Sequence, residues 1–202
     1  MTVLVASLSF HEAAHAWTAN QLGDPTARAM GRLSLNPAVH IDPIGTLLFP
    51  LVAITTGLPV IGWAKPVPVD PRYLRSPRRD FAIIAAAGPA SNLVLACVAA
   101  GALALLPHVQ PGDITGRAVL SAPLQILRLA VVLNVLLAVF NMLPVPPLDG
   151  GNVLIGILPA AGARIVERMR PYGFIILYAL MLTGMLGAIA APVQYRLLSW
   201  LL

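Results

Sequence analysis

Cysteine and charge are both scarce in this chain. Cys97 is the only cysteine in 202 residues and sits in an apolar run beside Ala96 and Val98, which excludes a disulfide framework and a cysteine-based metal site. Charged side chains make up 10% of the residues, where soluble domains carry about 25%. Hydrophobic ones reach 58% and the mean hydropathy is +0.82. Such a composition belongs to an integral membrane protein. The 13 Lys+Arg exceed the 8 Asp+Glu by five charges. They gather in short clusters between apolar stretches, a pattern that orients membrane helices and gives no reason to expect a nucleic-acid partner. The first residues lack a basic region followed by a small-residue cleavage site, so a cleaved signal peptide is not expected. Neither an internal repeat nor a disordered linker is visible, and residues 1–202 read as a single domain.

What the chain does have is long apolar runs. A membrane helix needs about 20 of them in succession. Residues 81–106 and 172–195 carry no charge at all and each is expected to span. Residues 118–143 hold one charge, Arg128, near the start, where its stem can snorkel to the headgroups. Residues 1–22 also have span length, yet His11, Glu12 and His15 lie in their middle, and ionisable groups at membrane depth mark function by default. Residues 43–64 are apolar but interrupted by Pro43, Gly45, Pro50, Gly57, Pro59 and Gly62, as a broken or re-entrant segment would be. If Arg28 and Arg32 share a side with Lys65, Arg72, Arg75, Arg78 and Arg79, the segment between them dips in and returns. The expected fold is an all-α polytopic membrane protein of about four to five membrane segments, with a re-entrant or short β element between the first helix and the helix at 81–106. The basic loops are expected in the cytoplasm.

The run SFHEAAHAW places two imidazoles four residues apart. On a helix they are about 40° apart around the axis and about 6 Å apart along it, so both rings reach one ion. Glu12 sits beside the first histidine, off the ion but close enough to take a proton from a water on it, the arrangement that an H-E-x-x-H pattern gives to zinc hydrolases. A buried trio without a metal is the bland alternative. It leaves a carboxylate and two imidazoles uncompensated in a span, at about 2.5–3.5 kcal/mol for the acid alone.

Catalytic zinc commonly keeps three protein ligands. His40 and Asp42 in NPAVHIDPIG and Asp149 in FNMLPVPPLDGG are the remaining candidates. Asp149 is best placed. It follows a long apolar helix that Pro144, Pro146 and Pro147 must break, and Gly150 and Gly151 let backbones approach closely. A plain helix-ending turn of Pro, Asp and Gly remains the alternative there. His40 and Asp42 fit better as a capped turn beside Pro43 or as groups that orient the first histidines.

HEAAH near the start, GRLSLNPAVHIDPIGTLLFP at 31–50, GWAKPVPV at 62–69, AGPASN at 87–92 and FNMLPVPPLDGG at 140–151 together resemble the site-2 protease family of intramembrane zinc metalloproteases, in its compact prokaryotic form. The resemblance covers roughly residues 8–152. It implies Zn2+ as cofactor, His11, His15 and Asp149 as its ligands and Glu12 as general base. Asn141 would donate to the developing oxyanion, and Asn92 would serve the site as a polar group or join helices by a hydrogen bond. It also implies an embedded β structure after the first motif, with which the alternation in RLSLNPAVHI is compatible. The substrate implied is a transmembrane segment of another membrane protein, cut among lipids in regulated intramembrane proteolysis, and the membrane implied is a prokaryotic plasma membrane. No PDZ-type domain fits in this length, so substrate selection by such a module is not expected.

Two other readings stand beside this one. A metal-binding transporter or inactive scaffold would also carry intramembrane His and carboxylate groups, but many transporters show repeats and a scaffold has no use for Glu12. A zinc enzyme acting on lipids or small amides would need the same ligands. The resemblance alone selects a peptide.

Overall fold

A computed structural model describes residues 2–48, 55, 64–106 and 114–202 of the chain, with the side chains of 46, 47 and 114–120 outside the description. The described residues are helical and contain no strand. The main helices are α1 (Thr2–Gln21), α2 (Pro77–Leu105), α3 (Ile114–Asn141), α4 (Asp149–Ile157), α5 (Ala160–Met169), α6 (Gly173–Leu182) and α7 (Met185–Leu201). By length and composition two of these segments can cross a membrane, Pro77–Leu105 and Ser121–Asn141.

The run at 172–195 differs from the single span expected of it. It breaks into α6 and α7, and the stretch Ala160–Leu182 meets Met185–Leu201 at 77°. The cause is local. Thr183 turns its hydroxyl back onto Ala179 O at 2.8 Å, and Gly184 takes φ +72°, a left-handed conformation that glycine reaches without a Cβ clash and that ends a helix. Counted as one bent span, the pair would make a third crossing.

The helix α2 is central, packing on α1, α3 and α4. Its C-terminal half meets α3 and α7 through Ala96, Ala99, Val131, Val135, Val139 and Ala190. Small and β-branched residues at that seam let the helices come close, which is how helices associate where lipid removes the hydrophobic drive. Pro77 opens α2 at its first turn, where its missing N–H costs nothing. Asp80 accepts from Ser76 N at 2.8 Å and satisfies one of the free donors there. At the other end of α4, Arg78 donates to Ile155 O at 2.7 Å and to Leu158 O, so α2 caps α4. The outer surface is apolar, with Leu105, Val98, Ile157 and Trp200 exposed.

Residues 32–41, whose alternation is compatible with the β structure that the resemblance implies, instead form bends and a 3-10 turn over Pro37–Val39. Asn36 accounts for this, because its side chain accepts from Ala38 N at 3.0 Å and Pro37 follows at the first position of the turn. Residues 43–48 form a π-helical turn. The rest of the expected re-entrant segment, 49–54 and 56–63, lies outside the described residues.

Candidate metal centre

Two stripes face each other across the α1–α2 seam. On α1, Ser7, His11, His15 and Ala19 follow one another at intervals of four and are all buried. On α2, Ile84, Gly88 and Asn92 do the same. Residues four apart share a helix face, and the helices run antiparallel, so Ser7 meets Asn92 while His15 meets Ile84. The histidines are therefore pressed against α2 and held away from lipid.

Each imidazole spends its Nδ1 on an acceptor. His15 Nδ1 lies 2.7 Å from Ile84 O, and since a carbonyl only accepts, the proton is on Nδ1. His11 Nδ1 lies 2.6 Å from Asn92 Oδ1. The Asn92 amide has that orientation because its Nδ2 donates to Asn134 Oδ1 at 2.9 Å and to Ser7 O at 3.3 Å. In the neutral imidazoles both Nε2 atoms then carry a lone pair and no proton. The rings pack edge to face, with centroids 4.6 Å apart.

The first residue of α4 completes the arrangement. Asp149 Oδ2 lies 3.0 Å from His11 Nε2 and 3.5 Å from His15 Nε2, and the three ligand atoms lie within 4.8 Å of one another. The proline-rich turn at 144–148 carries Asp149 back to the histidines, and Gly150 lets it through, because a Cβ there would collide with Met142 O and Leu143 O. Without a cation there, either a metal or a second proton on an imidazole, two nitrogen lone pairs and a carboxylate oxygen would face one another. A divalent metal resolves that repulsion. The two Asp149 contacts bracket the edge of a tetrahedron with bonds of about 2.05 Å, an edge of about 3.3 Å, so this donor set fits zinc. Glu12, on the next position of α1, lies within electrostatic reach of His11, His15, Asp149 and His40.

The other candidates do not join the ligand cluster, although His40 lies within electrostatic reach of Glu12. His40 is buried and sets its Nε2 2.8 Å from Ser34 O; Asp42 Oδ1 accepts from Ile44 N at 2.9 Å and Gly45 N at 2.7 Å, capping the turn that starts at Pro43. Asn141 ends α3 and donates to Leu137 O at 2.9 Å, a bond within its own helix and not to the cluster.

Two residues of this site were missed from sequence. Gly88 forms its floor, since a Cβ there would collide with Nε2 of both His11 and His15; its place one turn before Asn92 was the available signal. Asn134, almost fully buried, is the lone amide in the apolar run LAVVLNVLLAVF, and a polar side chain in a span calls for a partner.

Comparisons with known proteins give the family. The model of Peptidase family M50 matches residues 108–184, a stretch that contains Asp149. The Bacillus subtilis protein named "Putative zinc metalloprotease YwhC" is 39% identical over 181 residues, covering 89% of this chain and 78% of its own length. A Mycolicibacterium smegmatis protein named "Putative zinc metalloprotease Rip2" is 33% identical over 90% of this chain and 65% of its own, and the Mycobacterium tuberculosis protein of the same name is 31% identical over 96% and 70%. No solved structure matches the chain. The chain therefore belongs to Peptidase family M50, the site-2 protease family.

Proposed function

We propose that this protein is a zinc-dependent endopeptidase that hydrolyses peptide bonds within or near transmembrane segments of other membrane proteins. One observation carries the reading: two histidines with their Nδ1 protons committed turn bare Nε2 atoms toward one oxygen of Asp149, with Glu12 alongside. In this reading His11, His15 and Asp149 hold the ion. Zinc bound there would supply Lewis acidity to a water and to the scissile carbonyl.

The rest falls to the chain's own residues. Glu12 accepts the proton of the attacking water and returns it to the leaving amine. Ile84 O and Asn92 Oδ1 hold the two rings in the tautomer that ligation needs. Gly88 keeps the α2 backbone low enough to leave the centre open. Asn141 would serve the oxyanion only by giving up its bond to Leu137 O. A substrate helix hides its carbonyls in its own hydrogen bonds, so it must unwind locally, and helix-weakening residues near the cut favour cleavage.

The apolar exterior and the family support a site embedded in lipid. In this reading α1 and the bent pair α6–α7 join α2 and α3 as membrane segments, and the basic loops face the cytoplasm of a prokaryotic cell.

The test is zinc content together with cleavage, in detergent, of a labelled single-span protein with Gly or Pro near the middle of its span. The parent should hold about one zinc per chain and cut the reporter. Glu12→Gln should keep the zinc and lose the cut. Cleavage that survives in Glu12→Gln would overturn the assignment of the base, and a metal-replete parent without zinc would overturn the metalloprotease itself.

A further inference from the structure

The hydrogen bonds behind His11 continue into a third helix. Asn92 can offer His11 either its carbonyl oxygen or its NH2, and the choice decides which ring nitrogen carries the proton. With Oδ1 toward the ring, the proton sits on Nδ1 and Nε2 is free to ligate. With NH2 toward the ring, Nδ1 must accept, and the proton moves to Nε2, where it blocks the metal.

Two groups hold Asn92 in the productive orientation. Ser7 O is the weaker at 3.3 Å, and Asn134 Oδ1 is the closer at 2.9 Å. Asn134 has an orientation of its own to keep, and it does so by donating Nδ2 to Ala130 O, one turn back on α3, at 2.8 Å. Donor and acceptor thus alternate without a fault from α3 to α1: Asn134 to Ala130 O, Asn92 to Asn134, His11 to Asn92. Asn92 is fully buried and Asn134 nearly so, so water cannot stand in for a missing member.

We propose that Asn134 is a positioning residue for the metal centre, acting through the Asn92 amide to hold His11 as the Nδ1–H tautomer with Nε2 ready for the ion. This rests on the zinc reading above but can be tested apart from it. The packing of α3 on α2 thereby becomes a condition for metal affinity. His15 is independent of this chain, since its Nδ1 proton goes to a backbone carbonyl that no side-chain substitution removes.

That independence supplies the control. The chain has four histidines, so 15N-histidine spectra of the zinc-free protein in detergent can be assigned by single substitutions. Asn134→Leu should move the His11 signals away from the Nδ1–H pattern and leave those of His15 in place, and Asn134→Ser, whose hydroxyl is too short to reach Asn92, should do the same if the leucine variant does not fold. Chelator competition should show a zinc affinity about 10- to 100-fold weaker in either variant. Val131→Ala, a comparable loss of buried packing one turn or less away on α3, should leave affinity unchanged. A His11 tautomer unmoved in both Asn134 variants would overturn the proposal, as would His15 moving equally. If the parent bound no zinc, the metalloprotease reading would fall, while the spectra would still decide the role of Asn134.

Discussion

The two halves of α2 use one helix for opposite purposes. Toward its N-terminus the face at Ile84, Gly88 and Asn92 meets α1 through hydrogen bonds and one missing side chain. Toward its C-terminus the face at Ala96 and Ala99 meets α3 and α7 through van der Waals contact alone. The apolar half can yield, since neighbouring side chains relax when a methyl is lost or gained, at a cost that grows with volume. The polar half cannot relax in that way. A donor set either converges on a point or does not, and a buried amide either has its partners or pays for them.

The sharpest way to break this comparison is to add a methyl to the polar half. Gly88→Ala places a Cβ against both Nε2 atoms that should ligate. The expected result is complete loss of stoichiometric zinc after dialysis, with helicity by circular dichroism retained. Zinc at the parental level would mean that α2 can move away from α1 and that the polar half is as compliant as the other.

Next in size is Asn92→Leu. The change is close to isosteric, but it strands His11 Nδ1, Asn134 Oδ1 and one bond of Ser7 O at once. In membrane proteins such bonds are worth about 0.6–2 kcal/mol each, so a loss of about 2–4 kcal/mol of stability is expected, measured by denaturation in mixed micelles, together with weaker zinc binding. A change below about 0.5 kcal/mol would show that the seam is held by packing.

How much of this was legible beforehand follows the same division. Local chemistry was readable: His11, Glu12 and His15 lie within one helical turn, and Asp149 stands where prolines must break a helix, so their types and spacing carried the chemistry. Relations between helices were not. Nothing in the chain says that Asn134 on one helix faces Asn92 on another, because that depends on the crossing of α2 and α3, which is set by the sum of small contacts. The β structure implied by the resemblance does not form at 32–41, because one side-chain cap and a following proline, at Asn36 and Pro37, outweigh a pattern of period two. The break at 183–184 was overlooked because hydropathy does not register a backbone conformation; Thr183 and Gly184 were the signal.

The apolar half supplies the third prediction. Val135 is fully buried between α2 and α7, and Val135→Ala removes two methyl groups and leaves a small cavity. A loss of about 1–3 kcal/mol is expected, less than for Asn92→Leu. Zinc per chain should stay at the parental level. Joint loss of stability and metal would instead couple the two halves, and the contrast between them would collapse into one cooperative unit.

The smallest effect belongs to the polar group that lies outside both halves. Arg72 donates to both carboxylate oxygens of Asp70, at 2.6 Å in its shortest contact, and holds that carboxyl below its usual pKa. On geometry alone this is a strong ion pair. It is also in water, where screening and the ordering of two side chains consume the gain. The depressed pKa means that any stability it adds is fully present above the ordinary carboxylate value of about 3.9 and is lost as pH falls through the lower folded value. Arg72→Ala should therefore leave the melting temperature at pH 7 unchanged within error and slightly flatten its fall below about pH 4. A clear drop at pH 7 would mean that the loop before α2 bears on the fold as strongly as the buried amides do. Solvent exposure, more than the quality of the bond, would then have to be abandoned as the variable that separates the regions of this molecule.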